Sequence, residues 1–237
     1  MEELLYKRVL LKLSGEVLGG TKGFGIDFAV AEEISREIKT CVELGAEVGV
    51  VIGGGNFWRG RSSGDMDDVT ADRMGMLATV MNCLALSDTL RQIGVETLVL
   101  SAFVMPQVCP VADKFAAIEA MKAGKVVLFA GGTGNPFFTT DSGAVLRAAE
   151  IEANLVLKAT NVDGVYDKDP NKYPDAVRYE ELTPTEILQK NLRVMDAAAA
   201  ALVRDKDLEM LVFNLTPPSN IVKAICGNAV GTMIRNF

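Results

Sequence analysis

Val48-Gly49-Val50-Val51-Ile52-Gly53-Gly54-Gly55-Asn56 decides the fold class. Residues 48–52 are apolar without alternation and rich in β-branched side chains, so they read as a short strand covered on both faces. The three glycines end the strand and let the backbone turn tightly. Upstream, Asp27 stands as the N-cap of a helix reaching about residue 44. Val30, Ile34, Ile38 and Cys41 recur there at helical spacing, and Gly45 is the stop. Residues 9–13 form a strand before that helix. Downstream, the spacing predicts a long helix over 71–93 with an apolar stripe of Met74, Leu77, Met81 and Leu84, read as core or as a subunit interface. Strands follow at 97–100, 126–129 and 155–158, separated by helices at 115–122 and 141–151. Gly164-Val165-Tyr166 opens a small hairpin. Thr183-Pro184-Thr185-Glu186 has capping-box spacing with proline at the first helical position. A helix at 197–204, a strand at 210–213 and a last helix capped by Ser219 and ended by Gly227 complete the pattern. The alternation predicts an α/β chain, one domain over residues 1–237, with a largely parallel sheet sandwiched between helices.

Composition narrows the chemistry. With 49% apolar and 23% charged residues the 237-residue chain has a globular balance. A net charge of −7 with no basic block argues against a nucleic-acid or anionic-membrane binder. Residues 1–8 lack a secretion-signal pattern, and no apolar run approaches the roughly 20 residues of a membrane span, so a cytoplasmic protein is expected. Cys41, Cys83, Cys109 and Cys226 form no CxxC pair, which suggests neither a zinc site nor a disulfide framework. The chain contains no histidine. Imidazole catalysis is thereby excluded, and chemistry must rest on lysine, arginine, carboxylates, backbone amides or a substrate-borne metal.

Three loops share one design, a strand end followed by a glycine- or threonine-rich turn leading toward a helix. They are Lys12-Leu13-Ser14-Gly15, Gly53-Gly54-Gly55-Asn56 and the run from 131 to 140. In parallel sheets such loops gather at the carboxyl ends of the strands, where ligands bind. Close backbone approach and unpaired amides at helix starts favour anions, so three such loops on one sheet edge point to a polyanion site. Neither G-x-x-x-x-G-K-[ST] nor a first-strand G-x-G-x-x-G is present, which argues against P-loop and dinucleotide folds.

Lys12-Leu13-Ser14-Gly15-Glu16, Val51-Ile52-Gly53-Gly54-Gly55-Asn56, Asp72-Arg73-Met74-Gly75-Met76, Thr133-Gly134-Asn135-Pro136-Phe137-Phe138-Thr139-Thr140-Asp141 and Lys158-Ala159-Thr160-Asn161-Val162-Asp163-Gly164-Val165-Tyr166 follow one another along the chain. This set resembles bacterial UMP kinases of the amino-acid kinase superfamily, from about Tyr6 to the C-terminus. The resemblance implies the amino-acid kinase fold and transfer of the γ-phosphate of ATP to UMP, a step of pyrimidine nucleotide synthesis. It implies ATP contacts at Lys12, Leu13, Ser14, Gly15, Gly55, Arg59, Thr160, Asn161, Tyr166 and Asp169. It implies UMP contacts at Gly54, Asp72, Thr133, Gly134, Asn135, Pro136, Phe137, Phe138, Thr139 and Thr140. Asp72 is equally readable as a carboxylate favoured by a helix start, and Phe137 and Phe138 as core anchors. Gly20-Thr21-Lys22-Gly23-Phe24-Gly25 matches a segment that mediates GTP activation in some relatives, or is a plain surface loop. A hexamer, with UTP as inhibitor, is also implied.

The acceptor oxygen of UMP is already ionised near neutral pH, so no general base is needed. Lys12 and Lys158 are expected to offset phosphate charge, Asp141 to orient them, and Mg2+ to arrive with ATP, with no metal held by the protein alone. Several amino-acid kinases carry a second catalytic lysine at the start of a late helix. Here that place reads Met195-Asp196-Ala197-Ala198, so the charge must come from elsewhere, with Arg59 as the candidate. Asp196 is either part of the lysine network or a helix cap. Two other readings stay open on the residues: a superfamily kinase for a carboxylate or carbamate, and a nucleotide-binding protein storing metal oxoanions.

Overall fold

Among the described residues, 3–58 and 65–237 of this computed structural model, eight strands form one sheet. They are β1 (Arg8–Leu13), β2 (Glu47–Ile52), β3 (Thr97–Ser101), β4 (Val126–Ala130), β5 (Leu155–Thr160), β6 (Glu181–Leu182), β7 (Met210–Asn214) and β8 (Gly231–Ile234). Their spatial order is β3-β4-β2-β1-β5-β7-β8-β6. Every neighbouring pair is parallel except β7 with β8. Helices α1 (Gly15–Leu18), α2 (Phe28–Glu43), α3 (Asp68–Gln92), α4 (Lys114–Lys122), α5 (Thr140–Glu150), α6 (Pro184–Gln189), α7 (Ala197–Asp205) and α8 (Asn220–Ile225) connect and flank the strands.

The two-residue period of a strand divides the core. On β1, Val9, Leu11 and Leu13 face a first core shared with Ile34 and Ile38 of α2, Leu86 and Leu90 of α3, and Ile225 of α8. Leu10 faces the opposite core, with Met121 of α4, Val145 of α5 and Val203 of α7. Helices therefore cover both faces, and β1 lies in mid-sheet between β2 and β5. The helix starts follow the predicted caps. Asp27 accepts a hydrogen bond from the Ala29 amide, and Thr183 and Glu186 complete a capping box around Pro184.

Four features depart from the sequence reading. Helix α3 begins at Asp68 because Asp67 caps it through the Thr70 amide at 2.8 Å, which leaves Asp72 one turn inside the helix. Met74, Leu77, Met81 and Leu84 are not core in the single chain; Leu77 is 53% exposed and Met81 46%. The buried face of α3 uses smaller residues, among them Ala78, Thr79, Asn82 and Cys83, which let the helix lie close to the sheet. Both faces of the helix are apolar, so periodicity alone could not say which one packs. Ser219 precedes α8 but makes no side-chain cap, and Phe137 and Phe138 are exposed rather than core.

Candidate active site

Lys12 and Lys158 are register partners on the adjacent parallel strands β1 and β5. Each follows an inward residue of the second core by two positions, Leu10 and Val156, so both side chains leave the same face of the sheet. Two ammonium groups set side by side repel each other, and a carboxylate compensates them. Asp141, in the first turn of α5, pairs with the Lys12 Nζ at 3.0 Å and with the Lys158 Nζ in a second, shorter contact. All three side chains are largely buried. Burial alone would raise the Asp141 carboxyl, but the charges of Lys12 and Lys158 outweigh it and hold the group below the ordinary carboxylate range. Burial, joined by the like charge of Lys12, lowers Lys158 from the usual lysine value against the pull of Asp141.

The three expected loops meet beside this cluster. Gly53 donates its amide to the Leu13 carbonyl at 3.0 Å, which draws the first loop onto the second. A side chain at Gly15 would run into the Gly53 carbonyl and lie 2.6 Å from the Asn56 Oδ1. At Gly54 it would lie 2.6 Å from the Gly75 carbonyl on α3, so glycine is required at both places by close backbone approach. From the third loop, Thr140 approaches Gly53. Asp72 reaches from α3 to accept the Phe137 amide at 2.7 Å, and Phe137 is held at φ 71°. The Asn135 amide donates to the Thr133 Oγ1, closing the turn that contains Gly134, and Pro136 follows it.

On the other side of the lysines a cavity of about 820 Å³ opens. Its floor crosses three strands through Lys12, Lys158 and Val212, which are successive register partners. Ser14, Thr160, Asn161, Tyr166 and Asp169 line it as well. Tyr166 donates its hydroxyl to Asp163 at 2.7 Å, and its backbone bridges Arg178, so the expected hairpin does form. The arrangement can therefore hold one anion chain in the cavity and a second at the glycine and threonine loops, with the two lysines between them.

The match to known proteins agrees with this geometry. Residues 7–214 fit the family model described as the amino acid kinase family. The chain belongs to the amino acid kinase family. It is 54% identical to the uridylate kinase of Aeromonas salmonicida over 234 residues, covering 98% of this chain and 96% of that protein. Among solved structures it resembles the UMP kinase from Bacillus anthracis (TM-score 0.94, 38% identity, 97% and 96% coverage). The UMP kinase from Ureaplasma parvum is similar over the full length of both chains (TM-score 0.92, 38% identity).

Against that family background, the remaining expected residues separate clearly. Leu13 sends its side chain into the first core, leaving only its backbone at the site. Gly55 lies against the side chain of Glu16. Arg59 lies outside the described residues. The segment from Gly20 to Gly25 is tied to the second loop: the Gly25 amide donates to the Asn56 carbonyl at 3.0 Å, and the Asn56 side chain returns a bond to the Gly25 carbonyl at 2.7 Å. Within it Thr21 and Lys22 sit in a short 3-10 turn closed by Gly23, and Phe24 stacks edge-on against Phe57.

Two parts of the site escaped the sequence reading. Asn82, fully buried on α3, exchanges side-chain amide bonds with Asn56 and also holds the Gly53 carbonyl at 2.7 Å. Its signal was an amide on the inward face of a helix. The segment from Lys190 to Val194 forms a wall of the cavity; in sequence it is an unremarked polar connection. Asp196 does act as a helix cap, accepting from the Ala199 amide at 2.9 Å. It also accepts from the Ser142 hydroxyl at 2.7 Å and from Thr139, so it staples α7 to the first turn of α5 without itself bonding either lysine. Burial pushes the Cys83 thiol up to about 12, which leaves it a neutral core group.

Proposed function

We propose that this protein is a UMP kinase: it binds ATP in the cavity over β1, β5 and β7, binds UMP at the loops after β2 and β4, and moves the γ-phosphate between them. One observation carries the reading. Lys12 and Lys158 stand side by side on one buried carboxylate, at the junction of the cavity and the loops. A phosphate-to-phosphate transfer requires two tails to meet despite their charge, and that junction is where cations stand. The full-length similarity to a uridylate kinase supports the choice of acceptor.

In this reading Lys12 and Lys158 stabilise the charge that spreads over the transferring group, and Asp141 fixes their positions. The Ser14 and Gly15 amides open toward the ATP phosphates, while Gly54, Asp72 and the loop from Thr133 to Thr140 hold UMP. Thr160, Asn161, Tyr166 and Asp169 hold the nucleoside end of ATP. Mg2+ suits a site of this kind as a passenger on the ATP oxygens, since both Asp141 oxygens are turned to lysines and no group of three acidic or cysteine side chains clusters among the described residues. The ion would neutralise phosphate charge. The enzyme works in the cytoplasm as a homohexamer, with GTP activating through the loop from Gly20 to Gly25 and UTP inhibiting. A coupled ADP-release assay tests the reading. UMP should be phosphorylated in preference to CMP, with no turnover of glutamate, aspartate or carbamate; turnover of a carboxylate instead of UMP would overturn it.

A further inference from the structure

Six cationic side chains line the cavity over β1, β5 and β7: Lys12, Lys158, Lys168, Lys172, Lys190 and Arg193. Five are engaged within the chain. Lys12 and Lys158 share Asp141, Lys168 pairs with Asp175 at 2.6 Å, and Lys172 lies 3.7 Å from Asp169. Lys190 pairs with Glu186 at 3.0 Å and covers the Tyr179 ring. Arg193 alone of the six makes no ion pair and no side-chain hydrogen bond among the described residues, and it is exposed at the cavity wall. An arginine carries five donors in a rigid fork and stays charged at every physiological pH, so an unengaged one facing a cavity suits an anionic ligand.

Position and charge indicate which part of the ligand it meets. Arg193 lies three positions before Asp196, so their Cα atoms are at most about 11 Å apart. Asp196 bonds to Ser142, the neighbour of Asp141. The wall is thus anchored beside the lysine pair. At that end two lysines are offset by one carboxylate, leaving a single net positive charge, whereas a triphosphate carries several negative ones. We infer that Arg193 is a binding residue for the polyphosphate tail of the donor nucleotide, supplying the cation that the Lys12–Asp141–Lys158 cluster lacks. This rests on the reading that ATP occupies the cavity.

The test is nucleotide titration of the full chain with ATP and with AMP, in the wild type, R193Q and R193K, alongside the UMP-dependent assay. Wild-type turnover of UMP tests the kinase reading independently of Arg193. R193Q should then weaken ATP binding about tenfold or more, the range of a charge-assisted hydrogen bond, with AMP binding changed by less than about twofold. R193K, which keeps the charge but not the fork, should recover part of the ATP loss, and the KM for UMP should not move in either variant. The inference is overturned if R193Q binds ATP as the wild type does. It is equally overturned if ATP and AMP weaken by the same factor, because Arg193 would then serve the base or the wall itself.

Discussion

Lys12 and Lys158 owe their encounter to register. A parallel pairing that sets Leu10 opposite Val156 necessarily sets Lys12 opposite Lys158 on the same face. Asp141 makes that juxtaposition tolerable, and the balance among the three groups fixes how the site responds to pH. The Asp141 carboxyl is held low, so its contribution to stability is fully present above the ordinary carboxylate range and is lost only as pH falls through its depressed value. It stays ionised across the neutral range, and the acid limb of kcat/KM should instead report the UMP phosphate, near pH 6. Lys158 lies below the usual lysine value of 10.5. The unfolded chain therefore holds this proton to higher pH than the folded one, and stability rises with pH between the two values while the charged form, the one proposed to bind phosphate, disappears. The alkaline limb should accordingly fall below 10.5, and Lys158→Arg should shift that limb upward in whatever activity remains; an alkaline limb unmoved by the substitution would remove Lys158 from the titration. For Lys12→Ala, kcat/KM should drop by about a hundredfold or more while circular dichroism stays native. Unchanged kcat/KM would take Lys12 out of the mechanism.

The start of α5 is held from two directions: Asp72 on α3 grips the Phe137 amide, and Asp196 at the head of α7 grips Thr139 and Ser142. The loop from Thr133 to Thr140 is thus shaped by helices far from it in sequence. Asp72→Ala should raise the KM for UMP about tenfold or more, with the KM for ATP within about twofold; equal loss for both nucleotides would contradict the assignment. The elements themselves were largely legible. Six strands announce themselves as β-branched or aliphatic runs between polar breaks, and the caps at Asp27 and Thr183 fix two helix starts. What escaped was short or doubly apolar. Strand β6 has only two residues and α1 is one turn long, both too short for periodicity to carry information, and β8 opens on a glycine. The lysines, Asp141 and the three loops were readable because strand ends and glycines mark them. Asn82, Arg193 and the staple role of Asp196 depend on which helix packs where, and nothing local in the chain encodes that.

Across the whole molecule, helices cover both faces of the sheet, yet α3 keeps a second apolar stripe turned outward, with Leu77 and Met81 about half exposed. A stripe of this kind on a long helix is the surface the proposed hexamer would bury. Leu77→Asp combined with Met81→Lys should lower the mass measured by light scattering toward that of a single 25.4 kDa chain, while the fold persists; an unchanged mass would place the interface elsewhere. In the proposed reaction the parallel sheet edge and its loops bring two phosphate tails together over one lysine pair. A crystal structure with UMP and a non-hydrolysable ATP analogue measures this directly. An attacking UMP oxygen is expected about 3–3.5 Å from the γ-phosphorus, in line with the leaving oxygen and beside Lys12 and Lys158. Two nucleotides bound with their tails well apart, or away from those lysines, would rule out direct transfer at this site.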